Sequence, residues 1–431
     1  MNMRHNWKVA LAVGALLTAG AGLAPMHTAQ AQGDRATAAH NNESKEKGDK
    51  HTISKGEGKY LPKANDLMKE KKYQDALALL KQADGVSGKT PWDQHIINEM
   101  YGFIYVRTNN LAEAAKAVEA TVNDGFTDPG EIPGKLKVLA QINYQLKNYD
   151  KAIEFGERAM KAGVNDDDMD TIVGQSYYLK NDFKGTLKFV SQQVDDEVKK
   201  GKEPKEQTLN LVLSSCLKLD DSSCTSRALE RLVTYYPKPE YWSNLVITLF
   251  QAPNQNDKTL LNTYRLANEV DVLKRPDDYT EYAQLAIEAG SPGEAQRVLE
   301  KAFQKNVFTD TRSQDKNKRL LASAQKAAQQ DQQSLSKIAG DADSAPTGDK
   351  DVGVGLAYLG YQQYDKAADF LSKGVSKGGL KNDPEAHLLL GIAQLKEGKK
   401  EDAVKSFKAV KGDPTLERIA NLWSLHAKQA A

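Results

Sequence analysis

Apolar residues in this chain recur with a helical period, in pairs of short segments separated by a polar break. The pairs share one pattern. Leu is followed by Gly or Ala, two variable residues and a Tyr-like ring; after the break come Tyr or Asp, Lys or Glu, Ala, three variable residues, and Leu or Phe. An alanine marks each copy: Ala76, Ala114, Ala152, Ala295, Ala367 and Ala403. The first two intervals are 38 residues and the last is 36, and the intervening gaps of 143 and 72 approximate four and two units. A fixed period in this range predicts stacked helical hairpins, each burying its apolar face against the next.

Gly, Pro, Asn and Asp punctuate the chain into ten such hairpins, over 60–84, 91–124, 131–162, 166–199, 204–236, 240–272, 276–306, 310–342, 349–378 and 383–412. The eighth is rich in Gln, Ala, Lys and Ser and has lost the signature; it is expected to fill the gap of 72. Pro414 starts a last helix whose Leu422, Trp423 and Leu425 would cover the exposed end of the stack. The small residues are predicted to sit where the two helices of a hairpin cross, where a larger side chain would force them apart.

Three copies carry the scheme most fully. They are Gly102, Tyr105, Ala114 and Val118; Gly355, Tyr358, Ala367 and Leu371; and Leu390, Gly391, Ala403 and Phe407, closed by Pro414. This pattern resembles the tetratricopeptide repeat (TPR) and extends over nearly all of the chain after residue 58. The resemblance implies an all-α fold, a right-handed superhelical solenoid of about ten TPR-like hairpins with a C-terminal capping helix.

The two ends read differently. Arg4 and Lys8 precede an apolar run from Val9 to Ala24, and Ala29-Gln30-Ala31 has the small-x-small form of a cleavage site. Residues 1–31 are therefore expected to be a secretory signal peptide and the protein to be periplasmic. Residues 32–58 are polar, with Ile53 their only aliphatic side chain larger than Ala, and are expected to be a disordered leader. An N-terminal array over 59–309, a degenerate hairpin and possible hinge over 310–348, and a C-terminal pair with its capping helix over 349–431 complete the expected organisation.

Charge nearly balances at +1. Lys and Arg alternate with Asp and Glu, with no one-sided basic stripe, so nucleic acid is not an expected partner. The mature chain shows no second apolar run long enough to span a membrane. His40, His51, His95, His387 and His426 form no pair at metal-ligand spacing, and no phosphate loop or nucleophile elbow is present. No metal, cofactor or catalytic residue is expected, and the chain does not read as an enzyme. Asp166-Asp167-Asp168 opens a helix, where carboxylates cap free N–H groups. Cys216 and Cys224 flank the turn of the fifth hairpin and are candidates for a disulfide in an oxidising compartment, the alternative being two buried thiols.

A TPR array presents the first helix of each hairpin along its concave side. Counted from the small residue, the groove positions are Lys137, Gln141, Tyr144 and Gln145 in the third hairpin and Thr171, Gln175 and Tyr178 in the fourth. Asn210 and Ser214 follow in the fifth, and Thr280 and Gln284 in the seventh. Amides and hydroxyls of this kind bond an extended peptide backbone, with Tyr144 and Tyr178 as stacked anchors. The ninth and tenth hairpins place Leu356, Leu359, Leu388, Ile392 and Leu395 at the same positions, an apolar face expected to be covered by the last helix or a partner.

The runs Arg231 to Leu245 and Asn382 to Pro414 resemble periplasmic TPR components of proteobacterial TonB systems. That resemblance implies a non-enzymatic scaffold or adaptor, binding a protein or peptide partner and accessory to TonB-dependent uptake. The alternative expectation is a scaffold for cell-wall or exopolysaccharide assembly.

Overall fold

The computed structural model describes residues 51–253 and 255–429. The expected signal peptide and the leader as far as residue 50 lie outside the described residues. Within them every regular element is helical: a 3-10 turn, Glu57–Lys59, and twenty α-helices. The chain divides into two compact units between Asp221 and Ser222, inside the fifth hairpin.

The first unit holds α1 (Leu61–Lys69), α2 (Tyr73–Asp84), α3 (Pro91–Arg107), α4 (Leu111–Asn123), α5 (Ile132–Gln145), α6 (Tyr149–Lys161), α7 (Asp167–Leu179), α8 (Phe183–Lys199) and α9 (Glu206–Lys218). The second holds α10 (Ser222–Tyr235), α11 (Pro239–Phe250), α12 (Asp257–Glu269), α13 (Pro276–Glu288), α14 (Pro292–Gln304) and α15 (Thr311–Asp343). It continues with α16 (Asp349–Gly360), α17 (Tyr364–Lys377), α18 (Asp383–Lys396), α19 (Lys400–Ala409) and α20 (Pro414–Gln429).

The hairpins form for a steric reason. All six marker alanines are fully buried. In the facing helix the small residue is there because nothing else fits: a methyl on Gly391 would lie 2.5 Å from the Phe407 ring, and one on Gly355 2.6 Å from Leu371. One turn closes hairpin after hairpin. A residue with left-handed backbone (Lys71, Asn109, Lys147, Asn181, Gly290, Gln362 or Gly398) is followed by one whose N–H bonds back to the first helix, at 2.8 to 3.0 Å. This is the Schellman arrangement, which satisfies carbonyls the helix end leaves open.

Three expectations need correction. Residues 51–58 are ordered: the Ser54 N–H donates to Asp93 Oδ1 at 3.0 Å, Glu57 is fully buried, and the His51 ring meets Trp92 edge-on at 4.7 Å. Polar composition concealed this because the contacts are a backbone bond and a histidine ring. The eighth hairpin is one helix, the 33-residue α15, since no left-handed turn residue interrupts it. Finally, charge is not evenly scattered, because five of the six basic residues of α15 gather on one face. With the hairpin gone, α14 and α16 meet directly. A methyl on Gly293 would strike Tyr361, and Arg297 Nε donates to the Gly360 carbonyl at 2.7 Å. The Tyr361 hydroxyl bonds Asp331 on α15 at 2.7 Å and locks the three helices together.

The second unit also closes on itself. Arg265 forms a buried two-pronged pair with Glu294 at 2.8 and 2.9 Å, and the Tyr282 hydroxyl donates to the same carboxylate. Asn262 accepts from Arg265 and donates to Glu385 on α18, 123 residues along the chain. Burial pushes Glu294 up, but the Arg265 charge and these hydrogen bonds outweigh it and hold the carboxyl below its usual range. Helix α20 packs against α10, α12, α18 and α19. Its Leu422 and Trp423 are buried and Leu425 is half-buried; Arg418 donates to Ser226 and Thr248, and His426 meets Glu269 at 3.2 Å. Leu359, Leu388 and Ile392 are buried, while Leu356 and Leu395 are half-buried. The apolar face of the last hairpins is thus largely covered from within the chain.

Gly391→Ala is expected to lower stability by about 1–3 kcal/mol, because Phe407 is held in place by stacking on Trp423. Gly353→Ala, on the open side of α16 with nothing within 4 Å, should raise it by about 0.5–1 kcal/mol. Urea denaturation of both variants checks the contrast. Acid should unlatch the second unit. Burial pushes Glu269 up, yet hydrogen bonds from His426 and Lys396 dominate and hold its pKa at about 2. A carboxylate depressed by folding stabilises fully above its ordinary value of 4.5 and loses that contribution as pH falls through about 2. The stability gap between the native protein and Glu269→Gln, on the order of 3 kcal/mol near neutrality, should therefore shrink across that window; a gap independent of pH would contradict it.

Candidate functional site

In the first unit, α3, α5, α7 and α9 are the leading helices of their hairpins, and α5 packs against α7 and α7 against α9. These helices are tied to one another by charge. Lys135 pairs with Glu99 of α3, Lys137 with Asp166 at 2.5 Å, and Lys205 with Asp167 at 2.6 Å. The acidic run that opens α7 has two structural tasks. Asp166 caps the helix by accepting from the Met169 N–H at 2.9 Å, and Asp166 and Asp167 bind lysines of the neighbouring layers. The Lys205 hydrogen bond and charge hold Asp167 below its usual range. Asp170, by contrast, is pushed up by burial and by surrounding carboxylates.

Further along the helices the Tyr144 hydroxyl donates to Gln175 Oε1 at 2.5 Å, joining α5 to α7. Burial pushes the Tyr144 phenol up. The two tyrosines expected to stack each lean on their own hairpin instead. Tyr144 meets Tyr149 edge-on at 6.2 Å, and Tyr178 meets Phe183 at 5.3 Å. Both partners are the first residue of the following helix, so each ring helps to fix its hairpin's turn. Gln175 is buried; Lys137, Gln141, Gln145, Tyr178, Asn210 and Ser214 are half-buried, and Thr171 is exposed. The first unit therefore brings together nine of the expected groove residues on three adjoining helices, as a polar surface with hydroxyl, amide and aromatic edges.

The remaining two, in the second unit, do not continue such a surface there. Thr280 is buried and donates to Asn317 of α15 at 2.9 Å, while Gln284 stands exposed. Glu99, which ties α3 to α5, had no signal of its own in the sequence. It lies three residues before Gly102, the groove offset applied to the second hairpin.

Each described histidine has its own neighbour: His95 Nδ1 lies 2.8 Å from Asp124, and His387 lies 3.7 Å from Asp383. Among the described residues no group of three His, Cys, Asp or Glu side chains converges on one point, and no helix is long and apolar enough to cross a membrane. Neither Cys216 nor Cys224 is a free thiol.

Neither a family model nor a curated protein matches this chain. Several solved structures do. A tetratricopeptide repeat protein from Parabacteroides merdae is 13% identical over 70% of this chain and 99% of its own, with a TM-score of 0.29. Yeast Tom70 is 11% identical over 86% and 96%, with a TM-score of 0.24. The TPR2AB domain of yeast Sti1, in its pHSP90 complex, is 15% identical over 70% and 100%, at 0.23. At such scores these likenesses add no argument, and the hairpin fold rests on the geometry above.

Tyr144→Phe is expected to cost about 0.5–1.5 kcal/mol, since it leaves the buried Gln175 carbonyl without its donor. Thermal unfolding compared with Tyr178→Phe, whose ring contact needs no hydroxyl, measures that bond.

Proposed function

We propose that this protein is a non-enzymatic scaffold that binds a protein partner along the leading helices of its first unit. The observation that carries this reading is the surface formed by α5, α7 and α9, with Gln141, Gln145, Thr171 and Tyr178 presented at its edge. Its charged ends are already committed to one another, which leaves amides, hydroxyls and a tyrosine ring as the contacts on offer. Such groups suit the main chain of an extended peptide more than a charged terminus. The carboxylates Asp166 and Asp167 serve as a cap and as ties between layers.

A periplasmic adaptor accessory to TonB-dependent uptake is the finer proposal. It is supported by the resemblance of Arg231 to Leu245 and Asn382 to Pro414, and by the signal-like residues 1–31.

The test is crosslinking of the tagged protein in intact cells, followed by mass spectrometry of what is captured. Recovery of energising-complex proteins or outer-membrane receptors, lost in a Tyr144→Ala, Tyr178→Ala double variant that still folds, is the expected result. Capture of cell-wall or polysaccharide enzymes would keep the scaffold and remove the TonB assignment. Capture unchanged by the double variant would remove the binding surface.

A further inference from the structure

Helix α15 takes the place of a hairpin, and its outward face carries a row of cations. At about 100° per residue, Arg312, Lys316, Arg319, Lys326 and Lys337 fall within roughly 40° of one line along the helix. All five are exposed. Arg319 donates to the main-chain carbonyl of Asp315, and none of the five is in an ion pair among the described residues. The buried residues Asn317, Ala324, Ala328, Leu335 and Ala342 occupy the other side, toward the body of the unit. The row is about 38 Å long, at 1.5 Å per residue.

Helix stability does not account for this row. Lys69 pairs with Asp66, Lys116 with Glu113 and Lys405 with Asp402 along their own helices, whereas Arg312 and Arg319, three and four residues from Asp315, and Lys337, four from Asp341, form no such ion pair among the described residues. The first turn of α15 has no acidic residue, and Arg312 stands at its second position. Cations there oppose the positive end of the helix dipole. Between Arg312 and Lys326 there are five basic residues and a single acid, Asp315.

We infer that this face of α15 is an electrostatic docking surface for an anionic lipid bilayer. The occupant follows from what lies between the cations. Ser323, Gln330 and Ser334 fill the line, the exposed Asp341 ends it beyond Lys337, and no aromatic or large apolar residue stands on it. Protein interfaces draw their energy from a desolvated core with aromatic anchors, and nothing here would form one. Insertion into a bilayer also needs an apolar face, which this side of the helix lacks. A row of long, flexible cations with no large apolar residue between them suits a flat surface of diffuse negative charge. Such a surface attracts each basic residue within a Debye length and requires no shape match. The second unit would thus meet the membrane with α15 parallel to its plane.

The test is co-sedimentation of the whole protein with vesicles of phosphatidylcholine mixed with phosphatidylglycerol, against phosphatidylcholine alone. Binding to the anionic vesicles only is expected, abolished at about 1 M salt, where the Debye length is about 3 Å. Each basic residue near an anionic surface strengthens binding by about fivefold. The triple variant Arg312→Gln, Lys316→Gln, Lys326→Gln should therefore bind about 100-fold more weakly. Gln matches Arg and Lys in helix propensity, so the variant should keep its circular dichroism and melting temperature. A control with the same change in net charge, Lys63→Gln, Lys81→Gln, Lys188→Gln, removes exposed cations from other helices and should bind as the native protein does. The proposal is overturned by no binding, by equal binding to both vesicle types, or by equal loss in the two triple variants. It is also overturned if the stripe variant keeps vesicle binding but loses binding to an acidic polypeptide or to nucleic acid.

Discussion

Two helices cross closely only where a side chain is missing, and this constraint recurs through the molecule. Gly391 lies under the ring of Phe407 and Gly355 under Leu371, while the marker alanines are wholly enclosed. Each crossing brings the larger residues at its edges into contact, and those residues also form the surface on which the next hairpin rests. The left-handed turns follow from the same geometry. The second helix must leave the first at once to lie against it, so a turn residue takes left-handed backbone even where it is Lys71, Lys147 or Gln362 and forgoes the freedom of glycine.

Where this rule lapses, the chain does something else. Over 311–343 no turn residue interrupts the helix, and α15 runs on. Repeats on either side then meet directly, through Gly293 against Tyr361 and Arg297 on the Gly360 carbonyl. The long helix keeps one face against them and turns the other outward.

The hairpins were legible because local pattern and packing agree. An alanine at a fixed interval is a packing statement as well as a sequence one, and its burial follows. The same count places Tyr144 and Gln175 on the adjoining leading helices α5 and α7. The links between layers were not legible, because Lys135 with Glu99 and Tyr144 with Gln175 join residues a full repeat apart, and nothing local distinguishes them from solvated positions. The double gap invited a hidden hairpin because spacing alone cannot tell a helix that turns back from one that does not. The basic row on α15 escaped notice for a related reason. Read linearly, its cations are interspersed with neutral residues, Asp315 and Lys318, and they align only once one helix carries them all.

The closure of the second unit bears on how it comes apart. An open stack of repeats frays from its ends, and a terminal hairpin departs by giving up one neighbour. Here the last hairpin and α20 hold both the preceding repeat and, through Glu385, Lys396, Arg418 and His426, helices more than a hundred residues earlier. Losing the end means losing two interfaces at once, so the unit should melt as a whole. The same closure fixes the number of repeats it contains: a hairpin added or removed between α12 and α18 would pull Asn262 from Glu385, so a length change that an open array absorbs would here break the ring.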